Sequence, residues 1–270
     1  MTLIANARMY SVNAQVAAAW ADLFAWLAKA SGVALEPIAH APPAPMSALW
    51  RRSDLGCVFM CGRPWRRAWP KPVPLAAPVP SLAQYDQRPY YMTYLAVRAD
   101  SRFQELPDTF GGRLGYTIEE SQSGFNALRY HLLPFRSQAK PRLYAASIGP
   151  LYTPRAVVNA LVSGKIDLGP IDSYAFDLMK MSPGDPVHQL RVVAVTEPAP
   201  IPFLVAAPST SRGTTDRLTA ALLNSSADGE AKAILDRLQL KGFAVVDVAS
   251  YEVLDRWDTA ARDAGHACLD

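Results

Sequence analysis

Short apolar runs alternate with amphipathic stretches twice along this chain, and that alternation is its strongest constraint. From Leu3 to Cys61 the order reads strand, helix, strand, helix, strand. The first helix is the clearest, because Val16, Trp20, Leu23, Phe24 and Leu27 recur at the helical period. Ser11 or Asn13 caps its start, Lys29 lies in its last turn, and Gly32 stops it. The flanking strands are predicted over 3–10, 33–38 and 55–61, with a short helix over 46–51. A second alternation gives strand 113–116, helix 123–133, strand 142–147, helix 154–163, strand 166–171 and helix 173–181. Such an order implies parallel sheets with right-handed crossovers and helices on both faces.

Two long apolar passages without helical period lie at 90–98 and 190–206. Beyond them come helices over 214–225 and 229–239, a strand over 243–248 after Gly242, and a last helix over 251–263 capped by Ser250. The predicted architecture is α/β: two doubly wound domains joined by two crossing hinge strands. Residues 1–93 and 197–270 form a discontinuous first domain, with a second domain of residues 94–196 inserted. The 23 prolines gather at 37–45, 64–80 and 198–208, which read as loops and crossings.

With 270 residues, half of them hydrophobic, the chain is long enough for two modest cores. A net charge of +3 gives no global demand for nucleic acid. Cys57 and Cys61 stand four strand residues apart, roughly 13 Å, too far for a disulfide. The four histidines are scattered, so no metal site and no cofactor is expected. Three thiols without a disulfide framework fit a cytosolic chain better than a secreted one. No stretch is apolar and long enough for a transmembrane helix. Val16–Leu27 followed by Ala28-Lys29-Ala30 imitates a signal peptide, but Asp22 and the amphipathic pattern make it a mature helix. Arg63–Lys71 interleaves cations with tryptophan and reads as a solvated loop.

Ligands of open α/β sheets bind beyond the carboxyl ends of strands. With two such sheets facing each other, residues just after strands are expected to line one shared cleft. These are Tyr10, Cys61, Gly62, Tyr90, Tyr91, Ser121, Gln122, Ser123, Gly124, Phe125, Asn126, Tyr152, Asp172 and Ser173. The turn Ser121-Gln-Ser-Gly leads into a helix whose first N–H groups lack intrahelical partners and whose dipole adds partial positive charge. Such a turn receives anions without a basic side chain. Ordinary helix capping is the competing reading, for Ser121 as for Asp172.

These positions carry a resemblance. Met9-Tyr10, Cys61-Gly-x-Pro64, Tyr90-Tyr91, Ser121-x-Ser-Gly-Phe-Asn-Ala-Leu128, the run from Gly164 to Asp172, and Pro200-Ile-Pro-Phe203 occur in an order similar to one protein family. That family is the phosphate, phosphite and phosphonate substrate-binding proteins of ABC transporters, in a branch often lacking an evident signal peptide. The resemblance implies a type II periplasmic-binding-protein fold that closes on a small oxyanion or organophosphonate. It implies that Ser121, Ser123 and Gly124 hold phosphoryl oxygens, that Asp172 accepts from a protonated one, and that Tyr10 and Tyr91 contact the rest. It also implies an ABC permease as partner and a periplasmic location; the chain itself is expected to be a monomer. Two departures stand out: Gly149-Pro-Leu-Tyr-Thr153 replaces a histidine or further hydroxyls, and Gln122 replaces a small hydroxylated residue. A sulfonate remains an alternative ligand, and a cytosolic sensor module an alternative role. Enzymatic use of Cys61, Ser123 or Asp172 is not expected, because no histidine follows a predicted cleft strand to activate a nucleophile.

Overall fold

The computed structural model of the chain describes residues 2–137, 139 and 141–269. In chain order the first elements are β1 (Leu3–Asn6), α1 (Ala14–Ser31), β2 (Leu35–Pro37), α2 (Met46–Trp50), β3 (Leu55–Met60), α3 (Gly62–Arg67) and β4 (Val73–Pro80). Then come β5 (Tyr90–Tyr91), β6 (Thr93–Arg98), β7 (Arg113–Gly115), α4 (Ala127–His131), β8 (Ala146–Ile148), α5 (Pro154–Val162), β9 (Gly169–Asp172) and α6 (Ser173–Lys180). The chain continues with β10 (Leu190–Val195), β11 (Ala199–Pro200), β12 (Phe203–Ala206), α7 (Arg212–Asn224), α8 (Gly229–Arg237), β13 (Leu240–Ala244) and α9 (Glu252–Asp263). These elements fall into two compact units, residues 1–90 with 200–250 and residues 91–199 with 251–270.

The first unit is a six-stranded sheet in the order β13-β4-β12-β3-β1-β2. Its β2-β1-β3 side is parallel, as the strand–helix alternation requires. From β3 onward the neighbours run antiparallel. Strand β3 is buried at every position, so it reads as an unbroken apolar run. Helix α1 starts where the Asn13 side chain accepts from the Val16 N–H at 2.8 Å. It ends where Gly32 takes the left-handed conformation at φ 64°.

Strand β4 corrects the reading of residues 64–80 as loop throughout. It carries Pro74, Pro78 and Pro80 yet lies between β12 and β13. A proline cannot donate to a ladder, and inside sheets it is tolerated at irregularities. Pro74 adjoins the register shift against β12, and Pro80 the shift against β13. The strand predicted over 243–248 accordingly starts earlier, at Leu240, and Gly242 lies inside it.

In the second unit β6 is central, antiparallel to both β10 and β9. Beside them β7 and β8 pair in parallel, and Leu114 bridges in parallel to Leu168, just before β9. Strands β8, β7 and β9 therefore share a direction. Behind them packs a core that includes Leu95, Leu106, Leu114, Phe125, Leu128, Tyr144, Leu168 and Leu269.

Leu269 and helix α9 mark a second correction. The chain after 250, which the sequence assigns to the first domain, belongs to the second unit. One of the ties is Arg129 of α4, which is 2% exposed. Its guanidinium pairs with Asp258 of α9 and donates to the carbonyls of His266 and Ala267. Burial lowers the Arg129 pKa, and the Asp258 carboxylate opposes that shift. Helix α9 also starts differently from the expected Ser250 cap: the Ser250 hydroxyl donates back to the Asp247 carbonyl.

Candidate ligand site

The shared direction of β8, β7 and β9 brings three loops to one edge of the second unit. They follow Gly115, Ile148 and Asp172. Each loop ends in a capped helix start. The Ser121 hydroxyl accepts from the Gly124 N–H at 2.9 Å, the Thr153 hydroxyl from Ala156 at 3.1 Å, and the Asp172 carboxylate from Ala175 at 3.0 Å. Capping is thus real for both Ser121 and Asp172. It leaves further first-turn N–H groups without intrahelical partners, which is the ordinary condition of a helix start.

The Ser121 turn is not the plain α-helix that the periodicity predicts. Residues Gln122–Asn126 form a π turn, with the Asn126 N–H reaching the Ser121 carbonyl at 3.1 Å, and regular α geometry begins only at Ala127. Such widened turns occur often at functional sites. Gly124 makes the turn possible by lying against Thr117. The Thr117 N–H returns to the Gly124 carbonyl at 3.3 Å, and the Thr93 hydroxyl donates to the Ser123 carbonyl at 3.1 Å. The Ser123 side chain is half-buried, and no described residue bonds its hydroxyl.

The loop after β8 is held the same way. Leu151 and Tyr152 donate their N–H groups to the Tyr116 and Thr117 carbonyls at 3.0 and 3.1 Å. Tyr152 sits at φ 66°, in the left-handed region, and is 43% exposed. A non-glycine residue kept there stores strain that tends to concentrate at functional positions. Across all three loops the sequence holds no Lys, Arg or His, whereas Glu119, Glu120 and Asp172 are acids. Donors at this edge are therefore backbone and hydroxyl groups.

Several expected ligand contacts turn inward instead. Phe125 belongs to the core, edge-on to Tyr116 at 5.6 Å. Asn126 is fully buried and its amide is used up internally: it donates to Gln122 and to the Leu254 carbonyl, and accepts from Arg129. Ser173 is also fully buried, with its hydroxyl accepting the Met92 N–H at 3.0 Å. Gln122 is 1% exposed, and its side-chain nitrogen has no partner among the described residues. With Tyr91, Thr93 and Thr196 it lines a narrow gap in the second unit that has no room for a water molecule. Nothing in the local sequence pattern distinguished these inward residues from Ser121 and Ser123.

In the first unit the parallel strands likewise end along one edge. Tyr10, after β1, is 1% exposed and packs edge-on to Phe59 at 5.1 Å, as a core residue does. Cys61 is half-buried at the start of α3, followed by the buried Gly62. Tyr90 lies under the Arg88 guanidinium at 5.1 Å. Burial alone raises the Cys57 thiol far above its ordinary range, so that cysteine stays an unreactive core residue. No cluster of potential metal ligands occurs among the described residues.

A family model described as "ABC transporter, phosphonate, periplasmic substrate-binding protein" matches residues 10–251. The chain belongs to this family. Members of the family are substrate-binding components of transporters, assigned to the periplasm. Solved structures agree on the fold. The binding-protein component of an ABC phosphonate transporter from Pseudomonas aeruginosa superposes with a TM-score of 0.82 at 14% identity, over 98% of this chain and 88% of that one. PhnD1 from Prochlorococcus marinus, solved with methylphosphonate, gives 0.78 at 18% identity, over 97% and 98%. A Xanthomonas citri protein solved with ATP gives 0.66 at 19% identity, over 98% of both chains. The type II periplasmic-binding-protein fold expected from the sequence is thus the fold found. A search of curated proteins gave no similar sequence.

Proposed function

We propose that the edge built by Ser121–Gly124, Gly149–Thr153 and Asp172 captures a small oxyanion of the phosphonate or phosphate type. The chain then delivers it unchanged to an ABC permease at the periplasmic face of the membrane. The observation that carries this reading is the convergence of three capped helix starts on one strand edge. The Ser123 hydroxyl stands there without a described partner. In this reading Ser121 caps the Gly124 N–H, while the Ser123 hydroxyl and the remaining first-turn N–H groups of the three helix starts meet phosphoryl oxygens. Asp172 accepts from a protonated ligand oxygen, because an ionised carboxylate repels a fully deprotonated anion. Tyr152, strained and exposed, covers the organic substituent. Methylphosphonate bound to the Prochlorococcus marinus relative supports the ligand class.

The magnitudes suffice. Hydrogen bonds to a charged group contribute about 1.5–3 kcal/mol each, and micromolar affinity needs about 8 kcal/mol. Two hydroxyls and two or three N–H groups reach that after ordering costs. A thermal-shift panel of phosphate, phosphite, alkylphosphonates and sulfonates tests the proposal. Stabilisation by a phosphorus oxyanion that is recovered unchanged is the expected result. Stabilisation by sulfonates alone, or turnover of the hit, would overturn it.

A further inference from the structure

Away from that edge, α3 and the segment between it and β4 in the first unit treat two tryptophans in opposite ways. Trp65 is anchored: its indole N–H donates to the Pro72 carbonyl at 2.8 Å and its ring meets Phe203 edge-on at 5.3 Å. The Lys71 ammonium lies 4.8 Å from the same ring and donates to the Trp65 and Arg66 carbonyls, closing the end of α3. Trp69, four residues on, is 91% exposed, against 70% for the next large apolar residue, Val245. Helix α3 ends at Arg67 and Ala68 is extended, so Trp69 stands beyond the helix in a bend stiffened by Pro70. Around it stand Arg67 and Lys71, both exposed, and the half-buried Arg66. The chain carries no acid from Leu55 to Tyr85.

We infer that this bend is a peripheral anchor for an anionic phospholipid surface. An indole suits the headgroup layer, because one end of it is apolar and the other donates a hydrogen bond. Basic residues beside it add attraction to anionic lipids. The buried core of a protein–protein patch is mostly apolar around its anchors. Here a single ring protrudes among cations, which matches a charged bilayer better. The inference is independent of which anion the ligand edge takes.

Co-sedimentation with vesicles of phosphatidylcholine containing about a third phosphatidylglycerol tests it. The whole chain should partition onto these vesicles, less onto pure phosphatidylcholine, and less as salt rises. Trp69→Ala should lower partition about tenfold, and Arg67→Glu should lower it as well. Both variants should keep their melting temperature and oxyanion affinity, since neither side chain is buried. Equal sedimentation of wild type and Trp69→Ala would overturn the inference. So would absence of vesicle binding, including the case where Trp69→Ala loses affinity only for a detergent-solubilised permease, which would make the bend a protein contact.

Discussion

A Cβ placed on Gly124 would stand 1.9 Å from the Thr117 hydroxyl oxygen, closer than any real contact. The Ser121 turn therefore rests directly on the strand extension that follows β7. Gly124→Ala must push Thr117 or the turn aside, and overpacking of this kind costs about 1–3 kcal/mol. We expect lower stability in urea denaturation together with weakened oxyanion binding. Unchanged stability would mean that the turn is more adaptable than its packing indicates.

Helix α9 is tied to α4 by a pair that is almost wholly buried, with side-chain exposures of 1% for Arg129 and 8% for Asp258. Removing one member strands the other charge. Asp258→Ala should cost about 3–5 kcal/mol and expose amides of α9 to hydrogen exchange before the rest of the chain. If exchange in α9 keeps its wild-type rate, the pair is not what holds the helix.

Acid should loosen the start of β7. Asp167 accepts from the Arg113 N–H, Nε and Nη2 at 2.8, 3.0 and 2.9 Å. Hydrogen bonding from Arg113 holds its carboxyl below the usual range. A folded pKa below the unfolded value of about 3.9 gives stability that is complete above pH of about 4. That stability is lost as pH falls through the folded pKa. Asp167→Asn should thus show a smaller fall in melting temperature between neutral pH and pH of about 3 than the wild type. An identical slope would contradict the linkage.

Much of this fold was legible because the deciding signals are local. Asn13 and Gly32 bound α1, Thr153 and Pro154 open α5, and the alternation of strand and helix sets the parallel halves of both units. What stayed hidden depends on distant partners. Pro74, Pro78 and Pro80 argue against a strand until the register shifts beside them are seen. The unit joined by α9 depends on contacts such as Asp258 with Arg129, 129 positions away. The same holds at the ligand edge, where Asn126 and Ser173 look as available as Ser123 until Leu254 and Met92 claim them. Family motifs located the turn; only side-chain partners separated its inward from its outward residues.

The direct test of the account is isothermal calorimetry of Ser123→Ala with the tightest-binding oxyanion of the panel, beside Ser121→Ala. Ser121 caps its helix, so its loss should lower stability by about 1 kcal/mol. Ser123 bonds no described residue through its hydroxyl, so its loss should leave stability within about 0.5 kcal/mol of wild type. Its affinity should nevertheless fall at least about tenfold, the effect of one hydrogen bond to a charged ligand. Wild-type affinity in Ser123→Ala would contradict the claim that this turn holds the anion.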